Sequence, residues 1–299
     1  MTGARVWILS LCLAMAALTP GRGLAEPWGE APSLSLLDGG GDAPASIGRW
    51  EFTLGARVGA PIGHLQVGEA FSGSNTPGTR LSLSTLGVHV SEAIEASVAY
   101  HFTPDDALRF SGLYYFLRGD SSPSVSVVYN GAEFKPGPLH ADADLWRLDL
   151  AYERALWRSP TDELIGNLGL AFVYFNPTLS NPGHKGSDNS EDFYFQELPV
   201  PIAGLRWSHV LGRQWLLRLG IAGGGLPRVD SLRTEGGTVY LQQSHADADA
   251  GLVYRWGAGT ELEAGYHFTY FFQHEHSHED DNKFELIDSG VRVRFIWRF

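Results

Sequence analysis

From Trp50 to the end of the chain, large apolar residues recur at every second position with polar or small residues between them. A period of two marks strands whose two faces meet different surroundings. The closing stretch "SGVRVRFIWRF" shows it most plainly: Val291, Val293, Phe295, Trp297 and Phe299 alternate with Arg292, Arg294 and Arg298. Read through the chain, the pattern predicts ten strands. The first is "WEFTLGARVGA", and a long second one covers about residues 81–102. "ALRFSGLYYFLRG", "DADLWRLDLAYER" and "LIGNLGLAFVYF" follow. The sixth is "FYFQELPVPIAGLRWSHV", in which Pro199 and Pro201 mark a bulge or a poorly paired upper part. "WLLRLGIAGGG", "DADAGLVYRW", "ELEAGYHFTYFF" and a last strand from Phe284 complete the set.

The connections alternate in length. Short turns at 103–106, 159–163, 211–214 and 257–260 alternate with long polar loops centred on 68–79, 130–139, 180–192, 233–237 and 274–283. Short turns on one side and long loops on the other mark transmembrane β-barrels. The expected fold is therefore all-β: an antiparallel up-and-down barrel of about ten strands, spanning residues 48–299. An even strand count puts both termini on the short-turn, periplasmic side. A soluble β-sandwich also alternates, but it does not combine tall aromatic faces with a terminal phenylalanine.

In a closed barrel one face of each strand meets lipid and the other meets the lumen. Parity sends Trp50, Phe52 and Leu54 outward, with Trp146, Leu148, Leu150 and Tyr152 on the fourth strand and Leu262, Tyr266, Phe268 and Tyr270 on the ninth. The inward faces carry Glu51, Arg57, Glu95, His101, Arg109, Arg147, Asp149, Glu153, Arg218, Arg255, Glu261, Glu263, His267, Asp288, Arg292, Arg294 and Arg298. Acids opposite arginines form bidentate pairs, whereas an isolated charge there is costly. Two readings follow: a structural network that fills a narrow lumen, or a narrow, porin-like pore with a charged wall. The mixed signs give no ion preference.

The last strand resembles the C-terminal signature of Gram-negative outer-membrane proteins, with Phe295, Trp297 and Phe299 alternating up to the end. The resemblance implies recognition by the barrel-assembly machinery, outer-membrane lipid and lipopolysaccharide as surroundings, and no particular activity.

Composition narrows the setting. Residues 1–25 read as a signal peptide: Arg5, the apolar run "VWILSLCLAMAAL", then small residues before Glu26. Residues 26–47, rich in Pro, Gly and Ser, read as a flexible periplasmic tail. Cys12 lies inside the signal, so the mature chain has no thiol for disulfides or metal. Removing Arg5 and Arg22 takes the formal charge from −12 to −14, which argues against a nucleic-acid partner. A monomer is expected.

Candidate chemistry sits at the loop side. "HEHSHEDDN" places His274, His276 and His278 at alternate positions among carboxylates, a set that suits zinc, nickel or copper; no other cofactor is implied. "HADAD" occurs twice, as His140, Asp142 and Asp144 and as His245, Asp247 and Asp249, each where a strand descends from a long loop. Two carboxylates beside a histidine, duplicated, suggest a cation site or an acid/base rim acting on lipid or peptide. The omptins, outer-membrane proteases, are similar in strand number and use aspartate and histidine at such a rim. No motif of theirs matches residue by residue, so none of their residues is carried over. Ser208 with His209, or His64 with Ser72, are the remaining nucleophile and base candidates; no phosphate loop, zinc-protease motif or nucleophile elbow is present. The expectations are thus a non-enzymatic barrel or pore, a rim enzyme, or a metal-binding surface protein.

Overall fold

A computed structural model describes residues 49–71, 74–181, 189–190, 198–234, 238–257 and 259–299. The signal segment and the tail expected at 1–47 lie outside the described residues. Ten long strands run up and down: β1 (Trp50–Gly59), β2 (Ser91–His101), β3 (Asp106–Ser121), β4 (Leu139–Arg158), β5 (Asp162–Ser180), β6 (Val200–Val210), β7 (Trp215–Thr234), β8 (Thr238–Arg255), β9 (Thr260–His276) and β10 (Asp281–Arg298). Each pairs antiparallel with the next, and β10 pairs back onto β1 from Glu51↔Arg298 to Gly59↔Gly290. The sheet is a closed barrel. At its seam the Trp50 N–H donates to the Phe299 carbonyl and the Phe299 N–H to the Trp50 carbonyl, both at 3.1 Å.

The alternation read from the sequence holds along the walls. Outward side chains form an exposed apolar belt, with Phe52, Leu150, Leu168, Ile221, Leu252 and Val293 among them. Aromatic rings border it on both sides. Near the short turns, Phe299 stacks on Phe52 at 5.4 Å and meets Trp297 at 5.2 Å, while Trp215 packs on Tyr254. Nearer the loops, Tyr114 packs between Phe116 and Trp146. Rings of this kind sit at the two membrane–water boundaries. A hydrocarbon solvent accounts for an exposed greasy face of this extent; water does not.

Strand heights are unequal. β4 and β7 have 20 residues, roughly 50 Å of tilted strand against an apolar band of about 25 Å, so their hairpins project past the membrane. β1 has only 10 and β6 only 11. Several expected loops are in fact strand. β7 and β8 stay paired up to Thr234↔Thr238, with irregularities between Leu226 and Val229 and between Asp230 and Thr234, while residues 235–237 lie outside the described residues. β9 and β10 pair in register up to His276↔Asp281, so 274–283 is the end of a tall hairpin, not a long loop. Within the expected loop at 130–139, Val127–Tyr129 pairs with Ala132–Phe134 across Asn130 and Gly131. Both of those have positive φ (46° and 67°), the turn that Asn-Gly favours. β6 begins at Val200, between the two prolines, and residues 191–197 of the expected sixth strand lie outside the described residues.

The second strand is the main departure. It starts at Ser91, not near residue 81. The chain leaving β1 forms a short strand, Ile62–Gln66, along the top of β10, and Leu81–Ser82 adds to it. Residues 83–87 then turn inward. Gly63 permits the first step, since a Cβ there would lie 1.9 Å from the Glu285 carbonyl oxygen. Gly87 permits the second, with φ +79° and the Asp120 carbonyl 2.2 Å from where its Cβ would stand. Leu83, Leu86 and Val88 are thereby buried inside the barrel mouth. "LSLSTLGVHV" alternates as a strand does, but Leu81, Leu83, Leu86 and Val88 go into a plug.

That plug meets inward faces that change character toward the loops. Tyr115, Leu117, Leu145, Phe175, Leu179, Phe271, Phe284 and Leu286 point in from the strands; Leu65, Val67, Val127, Tyr129 and Phe134 come from the loops. Phe175 stacks on Phe284 at 3.9 Å, and the Tyr129 hydroxyl donates to the Pro177 carbonyl at 2.7 Å. Each such side chain contributes about 1.5–3 kcal/mol on burial. The loops are also tied to one another: the Thr79 N–H donates to the Val128 carbonyl at 2.8 Å and the Asp281 N–H to the Gly68 carbonyl at 3.1 Å.

Two substitutions separate the faces. Val293→Arg, on the outward belt, should cost about 2–4 kcal/mol in urea unfolding from lipid vesicles. Phe284→Ala, inside the plug, should cost about 3–5 kcal/mol in the same assay. A Val293→Arg chain as stable as the parent would rule out lipid contact at that face.

Candidate functional site

Below the plug the lumen is charged, and the inward residues expected from parity meet there. Near the short turns, Arg298 binds Glu51 at 2.6 Å and Glu261 at 2.7 Å. Arg109 bridges Glu51 and Glu153 at 2.7 and 2.8 Å, and Arg206 adds to Glu153 at 3.2 Å. Arg218 links Glu261, at 3.0 Å, to Glu263, at 2.7 Å. Glu263, 1% exposed, also accepts from Arg292 and Arg294. Arg292 reaches Asp249 at 2.8 Å, and Arg294 lies 3.7 Å from Glu95, which holds Arg57 in a two-pronged bond. Arg57 continues through Thr269 to Asp247, which shares Arg147 with Asp149. Just under the plug, His267 Nε2 lies 2.9 Å from Asp288, which also accepts from the Ser91 hydroxyl at 2.6 Å. Arg255 stands in register with Glu261 but makes no ion pair among the described residues.

The network draws on every strand but β5, whose Glu163 pairs locally with Arg158 at the turn. Most of its arginines, with Glu51, Glu95, Glu153, Asp149, Asp247 and Asp249, line a cavity of about 670 Å³ that runs from Pro104, Asp105 and Gly259 at the turns up to Arg57, Asp247 and Leu113 beneath the plug. Arginines and carboxylates satisfy one another around its wall, and this is what makes so many buried charges tolerable. Arg206 and the inward-facing Asp247 and Asp249 join the network although parity was assigned to neither β6 nor the top of β8. Extending Arg255 upward in steps of two reaches both aspartates.

The duplicated "HADAD" does not form one constellation. On β4, His140, Asp142 and Asp144 share the outward row of Trp146: His140 Nδ1 pairs with Asp120 at 2.8 Å and Asp142 with Arg118 at 3.3 Å. On β8, His245, Asp247 and Asp249 share the inward row of Arg255, with His245 buried against Phe271. A one-residue difference in phase puts identical sequences on opposite faces of a sheet. Ser208 and His209 are separated in the same way: Ser208 lines the cavity, while His209 lies outside, against Trp207 and 2.7 Å from Asp162. His64 lies beside Arg80 and Glu285, and Ser72 falls outside the described residues.

At the β9–β10 tip, His274 and His276 come together with Asp281, not with His278. His274 Nε2 is 2.8 Å and His276 Nδ1 3.6 Å from the same Asp281 oxygen. His278 is exposed in the turn. Burial pushes the His274 imidazole below its ordinary pKa, against the opposing bond to Asp281. Burial alone would raise Asp281, but the hydrogen bonds from His274 and Lys283 outweigh it and hold the carboxyl low.

A closed barrel with a greasy, aromatic-bordered exterior and a charged interior defines an integral β-barrel of the bacterial outer membrane. No family model matches the chain, and no curated protein matches it. Among solved structures the chain is similar to the outer-membrane protease OmpT from Escherichia coli, with a TM-score of 0.48 and 11% identity over 86% of this chain and 99% of that one. It is similar to the translocator domain of the autotransporter NalP from Neisseria meningitidis, with a TM-score of 0.37 and 14% identity over 88% and 91%. A third is Ail, the attachment invasion locus protein of Yersinia pestis, with a TM-score of 0.28 and 11% identity over 81% and 97%. Likeness at these levels concerns barrel architecture and carries no activity across.

Glu263→Ala should leave three arginines without their shared carboxylate and cost about 3–5 kcal/mol in guanidinium unfolding. Asp142→Ala, which breaks only the exposed pair with Arg118, should cost less than about 1 kcal/mol. Equal effects would mean that the luminal network is solvated like a surface.

Proposed function

We propose that this protein is a sealed, non-enzymatic outer-membrane barrel that presents tall hairpins outside the cell and keeps a charged vestibule open toward the periplasm. The carrying observation is the apolar plug: Tyr129, Phe175, Phe284 and the inward-turned Leu83, Leu86 and Val88 close the loop end above the polar cavity. A hydrated path for ions needs a continuous, open polar wall. Above Asp288 and Thr269 the inward polar groups, such as His245, Gln243 and Gln273, are buried among the apolar side chains of the plug, Gln243 donating to Gln273 at 3.1 Å. The vestibule's charges are spent on one another, so the network reads as the brace that fixes strand register. The even number of strands, with both strand ends of the seam at the short-turn side, supports periplasmic termini. A single chain closes its own sheet, which supports a monomer.

The plug weighs against the narrow-pore reading. The rim-enzyme reading loses its constellation, because the two "HADAD" copies face opposite sides of the wall.

Planar-bilayer recording separates these readings. The unaltered protein should give no stepwise conductance. A variant in which residues 62–88 are replaced by a short Gly-Ser linker should give small, regular steps. Steps from the unaltered protein would overturn the sealed-barrel reading.

A further inference from the structure

The β9–β10 hairpin carries a feature that the sealed barrel does not use. His274 and His276 lie two residues apart on β9 and so share its outward face, and Asp281 opens β10 as the register partner of His276. The three offer one ligand atom each, all within 4.8 Å of one another. The imidazole centroids are 6.2 Å apart, and both rings address the same carboxylate oxygen. We propose that this hairpin tip is a metal site in which His274, His276 and Asp281 bind one divalent ion of the zinc, nickel or copper kind.

The donor set fits that chemistry. Two imidazole nitrogens and a carboxylate oxygen at about 2.0–2.2 Å from an ion make a three-ligand zinc site with a fourth position left to solvent. Tetrahedral ligands at that distance stand roughly 3.3–3.5 Å apart. Two of the present separations, 2.8 and 3.6 Å, already bracket that value, and the third is no more than 4.8 Å, so the donors lie close to coordinating distance. Hard oxygen-seeking ions such as calcium are a poor match for two nitrogens.

The backbone beneath the site is fixed. The Ser277 N–H donates to the Asp280 carbonyl at 2.8 Å, and the Ser277 hydroxyl accepts from the Glu279 and Asp280 N–H groups at 3.0 and 2.8 Å. The Asp281 N–H is anchored on Gly68 of the first loop. Ligands carried on a tied hairpin lose little freedom on binding. Lys283 lies 3.1 Å from the other Asp281 oxygen, so it can orient the carboxylate from behind while the first oxygen takes the ion. Alternation alone would enlist His278. The turn at Ser277–Asp280 takes it off the row, and this makes the proposal specific.

The test uses the full chain, folded in detergent, with Zn²⁺ titrated by calorimetry and Co²⁺ as an absorption probe of coordination. One ion per chain is expected, with a tetrahedral Co²⁺ spectrum. His274→Ala, His276→Ala and Asp281→Asn should each weaken binding about tenfold or more, and His278→Ala should leave it unchanged. Thermal unfolding of each variant confirms that its barrel is intact. Failure of the parent to bind Zn²⁺ stoichiometrically overturns the proposal. So does a loss on His278→Ala equal to that on His274→Ala, which would assign binding to a loose histidine-rich segment.

Discussion

The whole molecule answers to one constraint: a peptide N–H or C=O in hydrocarbon has no water to bond, so every wall group needs a partner on a neighbouring strand. Only a sheet with no edge meets it, and the β1–β10 register from Glu51↔Arg298 to Gly59↔Gly290 removes the edge. Closure then dictates the rest. With lipid on one side of each strand and an enclosed lumen on the other, a two-residue period must run through the wall. Each polar residue on that period is delivered to a narrow interior where it has to find its complement.

The interior solves this problem in two ways at two heights. Around Glu263 and Arg109 the solution is charge neutralisation, with guanidinium groups shared between carboxylates from different strands. Above Asp288 it is mainly apolar packing around a few buried polar groups such as the Gln243–Gln273 pair, completed by loops that fold down into the mouth. The two zones meet at the His267–Asp288–Ser91 cluster, where hydrogen bonds bridge from ionised to greasy surroundings. A lumen built this way is stiff. Its lower half resists shear because the paired arginines span strands, and its upper half resists opening because the plug and wall form one core.

Period two was enough to place the strands and most of their facing. Glu51, Arg57, Glu95, Arg147 and Arg298 are inward for the reason that Trp50, Phe52 and Trp146 are outward. Which arginine meets which acid was not legible, because partners such as Arg298 and Glu51 are set by barrel closure and register, not by local sequence. Residues 81–90 mislead for a definite reason: the alternation in "LSLSTLGVHV" serves an inward turn at Gly87, and tertiary burial of Leu83 and Leu86 overrides local pattern. Other signals were present in the sequence. Asn130-Gly131 announces a hairpin, and counting by twos from Trp146 and from Arg255 already sends the two "HADAD" copies to opposite faces. The grouping of His276 with Asp281 in place of His278 depends on where a tight turn falls, and periodicity does not locate it.

The seam has a consequence for how the barrel comes into being. The backbone bonds of the β1–β10 seam join segments nearly the full length of the strand-forming chain apart, whereas the other pairings between the ten long strands join neighbours in sequence. Nine hairpin-type pairings can zip up locally and quickly; the tenth has to wait until all of them have curled the ribbon round. Until that moment two raw edges stand exposed, each able to capture a stray strand. The slow, vulnerable step of this protein's assembly is therefore the fastening of its clasp, and it is there that an escort would be of use.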